Sequence, residues 1–152
     1  MNEDRAKAAH CTFRVGELWF GVDVHAVQEV IPLQAMTSVP QAGNGLWGLI
    51  SLRGRVVPTV DMGRQLNLTE RQAGAHAMII VVDSDDGPVG LVVEEVGEVV
   101  DVDVDARTLC PDSVSDHIRN LIDLTYQLPD RLLFVLEMER TISSNRAERE
   151  SA

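Results

Sequence analysis

Short apolar runs separated by turn-forming residues make up most of the chain. Residues 12–15 alternate in polarity, residues 18–22 resume after the turn Gly16-Glu17, and together they predict a first hairpin. Runs of about four to eight residues rich in Val, Ile, Phe and Trp and bounded by Gly, Pro, Asn or Asp are typical of β-strands. The pattern therefore predicts a mainly β protein.

The clearest hairpin signal surrounds Arg53-Gly54-Arg55. Apolar runs at residues 46–52 and 56–60 flank this tripeptide, and a short connection that contains glycine favours a tight turn. Pro58 lies inside the second run and lacks a backbone N–H, so this strand is expected at a sheet edge or with a bulge. Further strands are predicted at residues 77–82, 89–93, 96–104, 118–124 and 132–136. Residues 25–29 are predicted to form one helical turn or a short helix, and residues 62–66 a short helix.

The two halves of the chain resemble each other. Residues 21–31 reappear as residues 90–100 at a constant offset of 69, and Val60-Asp61-Met62 is echoed by Leu136-Glu137-Met138 at an offset of 76. Valine-rich strands also coincide by chance, but the echoes keep the same order in both halves. We interpret them as two similar small barrels of about five strands each, packed by a shared apolar face. Whether the halves exchange terminal strands stays open.

The charge of the chain argues against nucleic-acid binding. Its 24 acidic and 13 basic side chains give a net charge of −11, and its one lysine, Lys7, lies near the N-terminus. Nucleic-acid binders gain affinity by neutralising phosphates with Lys and Arg, and this surface would repel them.

Sequence features that would indicate metal binding, disulfides or export are lacking. The cysteines, Cys11 and Cys110, show no CxxC spacing, and the four histidines are scattered singly, so neither a metal site nor a disulfide is expected. The N-terminus lacks the basic-then-apolar order of a secretory signal. We therefore expect a cytoplasmic protein that needs no cofactor and does not insert into the membrane.

The polarity of the chain ends predicts the domain organisation. Residues 1–9 are expected to form a flexible tail, and residues 143–152 a polar C-terminal tail. Residues 10–142 form the folded part, with the boundary between its two barrel subdomains at about residues 67–76.

Several segments resemble the CheW-like domains of bacterial chemotaxis. The opening motif is similar to residues 20–24 and 27–30, and the family's central signature is similar to residues 48–54 and 57–62. The likeness covers residues 11–142 in the right order. The chain departs from the family pattern at Ser51, where Asn is usual, and at Asn120, where Gly is usual.

This resemblance implies two intertwined, five-stranded SH3-like barrels with short helices. It also implies a non-enzymatic adaptor that joins the cytoplasmic tips of chemoreceptors to the regulatory domain of the histidine kinase CheA and is recruited to receptor arrays. One alternative is an adaptor of a related chemosensory pathway, such as pilus motility. Another is a ligand-binding sensor built on a duplicated barrel, although the sequence shows no clustered titratable groups for such a pocket.

The resemblance implies a structural brace between a residue of the opening motif and one of the central signature. In the family, the arginine matching Arg53 pairs with the glutamate matching Glu29 beside the interaction surface, and Gly54 completes the turn. Removing one partner would cost about 3–5 kcal/mol if the pair were partly buried. If it were exposed, the contribution would fall to about 0–1 kcal/mol.

The other candidate partner-binding residues are apolar or small. Trp47 and Gly48 lie where a loop enters a strand, and a tryptophan there is either a core residue or an interface anchor. The last candidates lie in the two repeated segments and are Val27, Val30, Val93 and Val96. Each valine alone suits a core, but as a set they could line a groove for a receptor helix. No residue is predicted to be catalytic.

Overall fold

The computed structural model of the chain describes residues 7–34, 37–38, 47–68 and 76–142. Its strands are β1 (Lys7–Val15), β2 (Leu18–Asp23), β3 (Val27–Pro32), β4 (Thr37–Ser38), β5 (Trp47–Leu52), β6 (Arg55–Asp61), β7 (Met78–Ser84), β8 (Gly87–Val93), β9 (Glu95–Asp103), β10 (Arg107–Thr108), β11 (Ile122–Gln127) and β12 (Leu132–Leu136). Its helices are α1 (Met62–Gln65) and α2 (Asp116–Arg119), with 3₁₀ turns at Val24–Ala26 and Val104–Ala106 and helical residues at 138–142.

Each of the two six-stranded sheets contains strands from both halves of the chain. The first sheet has the order β10-β11-β12-β2-β1-β9, and the second has the order β3-β7-β8-β6-β5-β4. Each therefore consists of five longer strands and one strand of two residues. The first hairpin, β1–β2, joins the last four strands of the chain, so strands are exchanged between the two halves.

The internal repeat is present in three dimensions. Read from its two-residue strand, the second sheet runs β4-β5-β6-β8-β7-β3, which matches the first sheet strand for strand. In the first sheet Gly21 pairs with Val135, and in the second Gly90 pairs with Thr59, both in parallel. The offsets of 69 and 76 found in the sequence relate these pairs, so the duplication extends to the strand register.

The main hydrophobic core joins the two sheets. Its buried side chains come from both sheets and include Phe13, Phe20 and Phe134 from the first and Val60, Ile80 and Leu91 from the second. Each sheet also encloses a smaller cluster of its own, around Ile79 in the second sheet and around Leu133 in the first. The shared core confirms the expectation that two barrels pack by an apolar face.

Three local predictions from the sequence are wrong. Residues 27–29 belong to β3, because pairing with β7 extends the chain directly after one 3₁₀ turn. Residues 118–119 belong to α2, whose cap Ser115 accepts a hydrogen bond from the Ile118 N–H. Pro58 lies in a strand between β5 and β8; no ladder bond to β8 is lost, because that pairing begins at Thr59.

Two predicted boundaries also differ from the structure. Strand β1 begins at Lys7, inside the segment 1–9 that was expected to be a tail. The expected subdomain boundary at residues 67–76 does not separate the sheets, because β6 before it and β8 after it pair with each other. Residues 1–6, 69–75 and 143–152 lie outside the described residues. No helix within the described ranges combines the length and hydropathy that crossing a bilayer would need.

Candidate functional site

An ion pair links the edge of the second sheet to its central hairpin. Glu29 lies on the edge strand β3, and Arg53 lies in the turn between β5 and β6. Arg53 donates from Nη2 to Glu29 Oε1 at 3.0 Å and from Nη1 to Oε2, so the contact is bidentate. A planar guanidinium matches both oxygens of a carboxylate, which gives such a pair a defined geometry.

The turn conformation places Arg53 where it can reach β3. Leu52 and Arg55 are directly paired across the hairpin, so Arg53 and Gly54 form a two-residue loop. Both have positive φ, 53° for Arg53 and 79° for Gly54. This combination matches the type I′ turn, whose twist suits an antiparallel hairpin. From this loop the Arg53 side chain contacts Glu29 on β3.

The ion pair lies at the rim of the second sheet. The Arg53 side chain is 75% exposed and that of Glu29 is 21% exposed. Exposed pairs contribute only about 0–1 kcal/mol to stability, because water solvates both charges well in the unpaired state. With Arg53 largely exposed and Glu29 partly buried, the pair lies nearer the exposed of the two energetic cases considered from the sequence.

Two further predicted residues lie on the same sheet. Gly48 is buried in β5 and pairs with Ser38 and Thr59 on either side. Its neighbour Trp47 pairs with Val60 through the backbone, but the Trp47 side chain lies outside the described part of the chain. Gly48 is therefore a buried residue within the sheet, paired on both sides through its backbone.

The four valines do not line one common groove. Val93 is 2% exposed and belongs to the main core, so its expected role in partner binding is wrong: no partner can reach it. Val27 and Val96 are half-buried and pack against the same core. Val30, on β3 beside Glu29, is exposed. Within this set, Val30 is the residue best placed to contact a partner.

Two valines that are more than half exposed were not identified from the sequence. Val99 is 58% exposed on the edge strand β9 and is the repeat equivalent of Val30 at the offset of 69. Val56 is 69% exposed and is the second residue of β6, after the Arg53 turn. The repeat offset could have identified Val99, whereas the exposure of Val56 depends on the outward face of β6.

A partly buried carboxylate lies at the other end of β6 from the Arg53 turn. Asp61 ends β6 and caps α1, and its Oδ1 accepts hydrogen bonds from the Gly63 N–H at 3.0 Å and the Arg64 N–H at 3.4 Å. Burial raises the pKa of Asp61, and this effect exceeds the lowering by the two amides and by the Arg64 charge. The Asp61 carboxylate is thus a structural cap that is held ionised at some energetic cost.

Comparison with known proteins identifies the fold and the related sequences. The sequence profile of the family described as CheW-like domain matches residues 10–146. The chain is 31% identical over 140 residues to the chemotaxis protein CheW of Rhizobium meliloti (strain 1021), which covers 92% of this chain and 89% of that protein. It is 26% identical over 136 residues to the chemotaxis protein CheW of Bacillus subtilis (strain 168), covering 90% and 87%.

A solved structure has the same fold. The crystal structure of the scaffolding protein TtCheW from Thermoanaerobacter tengcongensis superposes with a TM-score of 0.78 over 88% of this chain and 91% of that one. The sequence identity is 22%, so this similarity shows the fold of the two sheets.

Proposed function

This chain belongs to the family of CheW-like domains, and from that premise we propose that it is a non-enzymatic adaptor of bacterial chemotaxis signalling. It binds the cytoplasmic tips of chemoreceptors and the regulatory domain of a CheA-like histidine kinase, and it works in the cytoplasm at receptor arrays. Holding both partners on one body raises the effective concentration of kinase beside receptor.

The observation that carries this proposal is the bidentate pair between Glu29 and Arg53. It fixes the β5–β6 hairpin against the edge strand β3, and it lies beside the exposed Val30 and near Val56. A rigid charged contact flanked by exposed apolar side chains suits docking, because little conformational freedom is lost when a partner binds. We therefore assign Glu29 and Arg53 as positioning residues for a partner-binding surface.

The assignment is tested by measuring partner binding and kinase activation separately from stability. We expect Arg53→Ala and Glu29→Gln each to weaken binding of the kinase regulatory domain or the receptor fragment by about fivefold or more, as a substitution at an interface hot spot does. Because the pair is exposed, the free energy of unfolding in urea should change by only about 0–1 kcal/mol.

Arg55→Ala is the matched control, since Arg55 is an exposed arginine of the same hairpin that does not contact Glu29. The exchanged pair, Glu29→Arg with Arg53→Glu, should recover part of the lost binding if the two residues act by bracing the hairpin. Full kinase activation by Arg53→Ala would refute the role of the pair. Failure of the unaltered protein to bind either partner would refute the adaptor function.

A further inference from the structure

The repeat equivalent of Glu29 is Glu98, which lies on β9, the edge strand of the first sheet. Its surroundings differ from those of Glu29. The arginine of the matching β11–β12 hairpin, Arg131, forms an ion pair with Asp130 at 2.8 Å, and its guanidinium carbon lies 4.2 Å from the centre of the Trp19 ring. Within the described part of the chain, no cationic side chain forms an ion pair with Glu98.

A cleft of about 350 Å³ opens beside Glu98. Trp19, Asp130 and Arg131 form one side, and Glu95, Gly97 and Glu98 contribute from β9. The remainder is lined by Thr12 and by three apolar side chains, namely Val100, Leu128 and Leu133. Such a combination of an aromatic ring, apolar walls and a few polar groups is typical of binding clefts.

The cleft depends on a glycine that the other half of the molecule lacks. A Cβ at Gly97 would lie 2.6 Å from Trp19 Cζ3 and 2.7 Å from Thr12 Oγ1. The repeat equivalent of Gly97 in the second sheet is Gln28, whose side chain donates to Asp83. The missing side chain at position 97 therefore allows the Trp19 ring to lie across β9 and leaves the space beside it open.

Acidic side chains outnumber basic ones around the cleft. Glu95, Glu98 and Asp130 line it against the single basic residue Arg131. Glu95 shares Arg14 with Glu94 at 2.9 Å, and Asp130 pairs with Arg131. Glu98 forms no ion pair among the described residues, although Arg131 attracts it across the cleft, and the whole chain carries a net charge of −11. The cleft is consequently complementary to a positive side chain.

We propose that the cleft between Trp19 and Glu98 binds an arginine side chain that a protein partner presents between apolar residues. The partner would supply in trans the guanidinium that Arg53 supplies to Glu29 within the chain. Arginine fits better than lysine, because its planar group pairs with both carboxylate oxygens. The inference rests on the proposed adaptor function only in requiring that proteins dock on this chain.

The proposal can be tested without a receptor or a kinase. We would titrate the ¹⁵N-labelled full chain with the peptide acetyl-Val-Arg-Val-amide and follow its amide and indole NMR signals. We expect shifts confined to the Trp19 indole N–H, the Gly97 and Glu98 amides and their neighbours. Glu98→Gln should weaken the binding about fivefold, as expected for loss of a partly exposed ion pair.

Several controls separate this site from general attraction to an acidic protein. Asp101→Asn removes an exposed carboxylate of the same strand outside the cleft and should leave the affinity unchanged. A peptide with citrulline in place of arginine keeps the shape but loses the charge, and should not produce the shifts. Gly97→Gln, which copies the residue of the other sheet, should abolish binding.

The proposal is overturned if the arginine and citrulline peptides shift the same signals equally. It is also overturned if Asp101→Asn weakens binding as much as Glu98→Gln, or if the arginine peptide causes no localised shift. These outcomes leave the adaptor function untouched when receptor and kinase still bind the unaltered protein. A failed peptide titration and a failed adaptor are therefore distinguishable.

Discussion

Single glycines limit how closely the strands of each sheet can pack. A Cβ placed on Gly90 would lie 2.8 Å from Ile79 Cγ2 and 2.9 Å from Thr59 Cγ2. At the equivalent position in the first sheet, a Cβ on Gly21 would lie 3.4 Å from Leu133. The repeat thus has a glycine at both equivalent positions, and the neighbouring side chains lie closer to Gly90 than to Gly21.

Replacing these glycines by alanine should therefore have unequal effects. We expect Gly90→Ala to lower the free energy of unfolding by about 1–3 kcal/mol, because β-branched neighbours on both sides cannot turn away from an added methyl group. Gly21→Ala is the control and should lower it by less, since the end of a leucine side chain can move by a few tenths of an ångström. Urea denaturation followed by circular dichroism measures both, and an equal loss would contradict the packing difference.

Among the individual elements, the β5–β6 hairpin was predicted well and the segment at residues 118–124 was not. The hairpin is encoded locally, because a two-residue loop with positive φ favours Gly54 at its second position. In and before this segment, the buried residues Val114, Ile118 and Leu121 recur at helical spacing and enter the main core, and Ile118 lies in α2. This spacing favours a helix, whereas the apolar composition of the segment led to the prediction of a strand.

The cap of α1 makes a pH-dependent contribution to stability. Because burial raises the pKa of Asp61 in the folded state above its value in the unfolded chain, folding takes up protons at this residue at mildly acidic pH. The contribution of Asp61 is thus most favourable below the unfolded pKa, and it declines as the pH rises through the folded pKa.

Asp61→Asn tests this contribution, since asparagine also caps helices but does not ionise. We expect the free energy of unfolding of the unaltered protein, relative to that of Asp61→Asn, to increase as the pH is lowered from 7 toward 4. Urea denaturation at several pH values measures the difference. Asp23→Asn, at the exposed cap of the Val24–Ala26 turn, is the control. A relative stability that fell over the same pH range would contradict the raised pKa.

For the molecule as a whole, the strand exchange makes each half dependent on the other. The β1–β2 hairpin joins the first sheet through β9 and β12, while β7 and β8 complete the second sheet around strands from the first half. The main core then draws side chains from both sheets. The two sheets should consequently unfold together.

Division of the chain at the expected subdomain boundary tests this dependence. Fragments 1–70 and 71–152 should each lack a cooperative unfolding transition in urea, because every sheet would lose interior strands. The full chain should show one transition, with the same midpoint by circular dichroism and by tryptophan fluorescence. A sigmoidal transition in either isolated fragment would show that a half can fold alone.

The sequence by itself determined the mainly β class, the hairpins, the duplication and the likeness to CheW-like domains. These features depend on local turn chemistry, on the alternation of polarity and on a constant offset, all of which can be read along the chain. Even the pairing of Glu29 with Arg53 was expected, although only through the resemblance.

The tertiary structure alone decided which strands share a sheet, that Val93 is buried, that Arg53 remains exposed and that a cleft opens at Gly97. Each of these outcomes depends on contacts between residues far apart in the chain, such as Gly97 with Trp19. Because the valine-rich strands have similar local sequences, the local pattern does not specify which two strands pair. The pairing is determined by packing of the shared core.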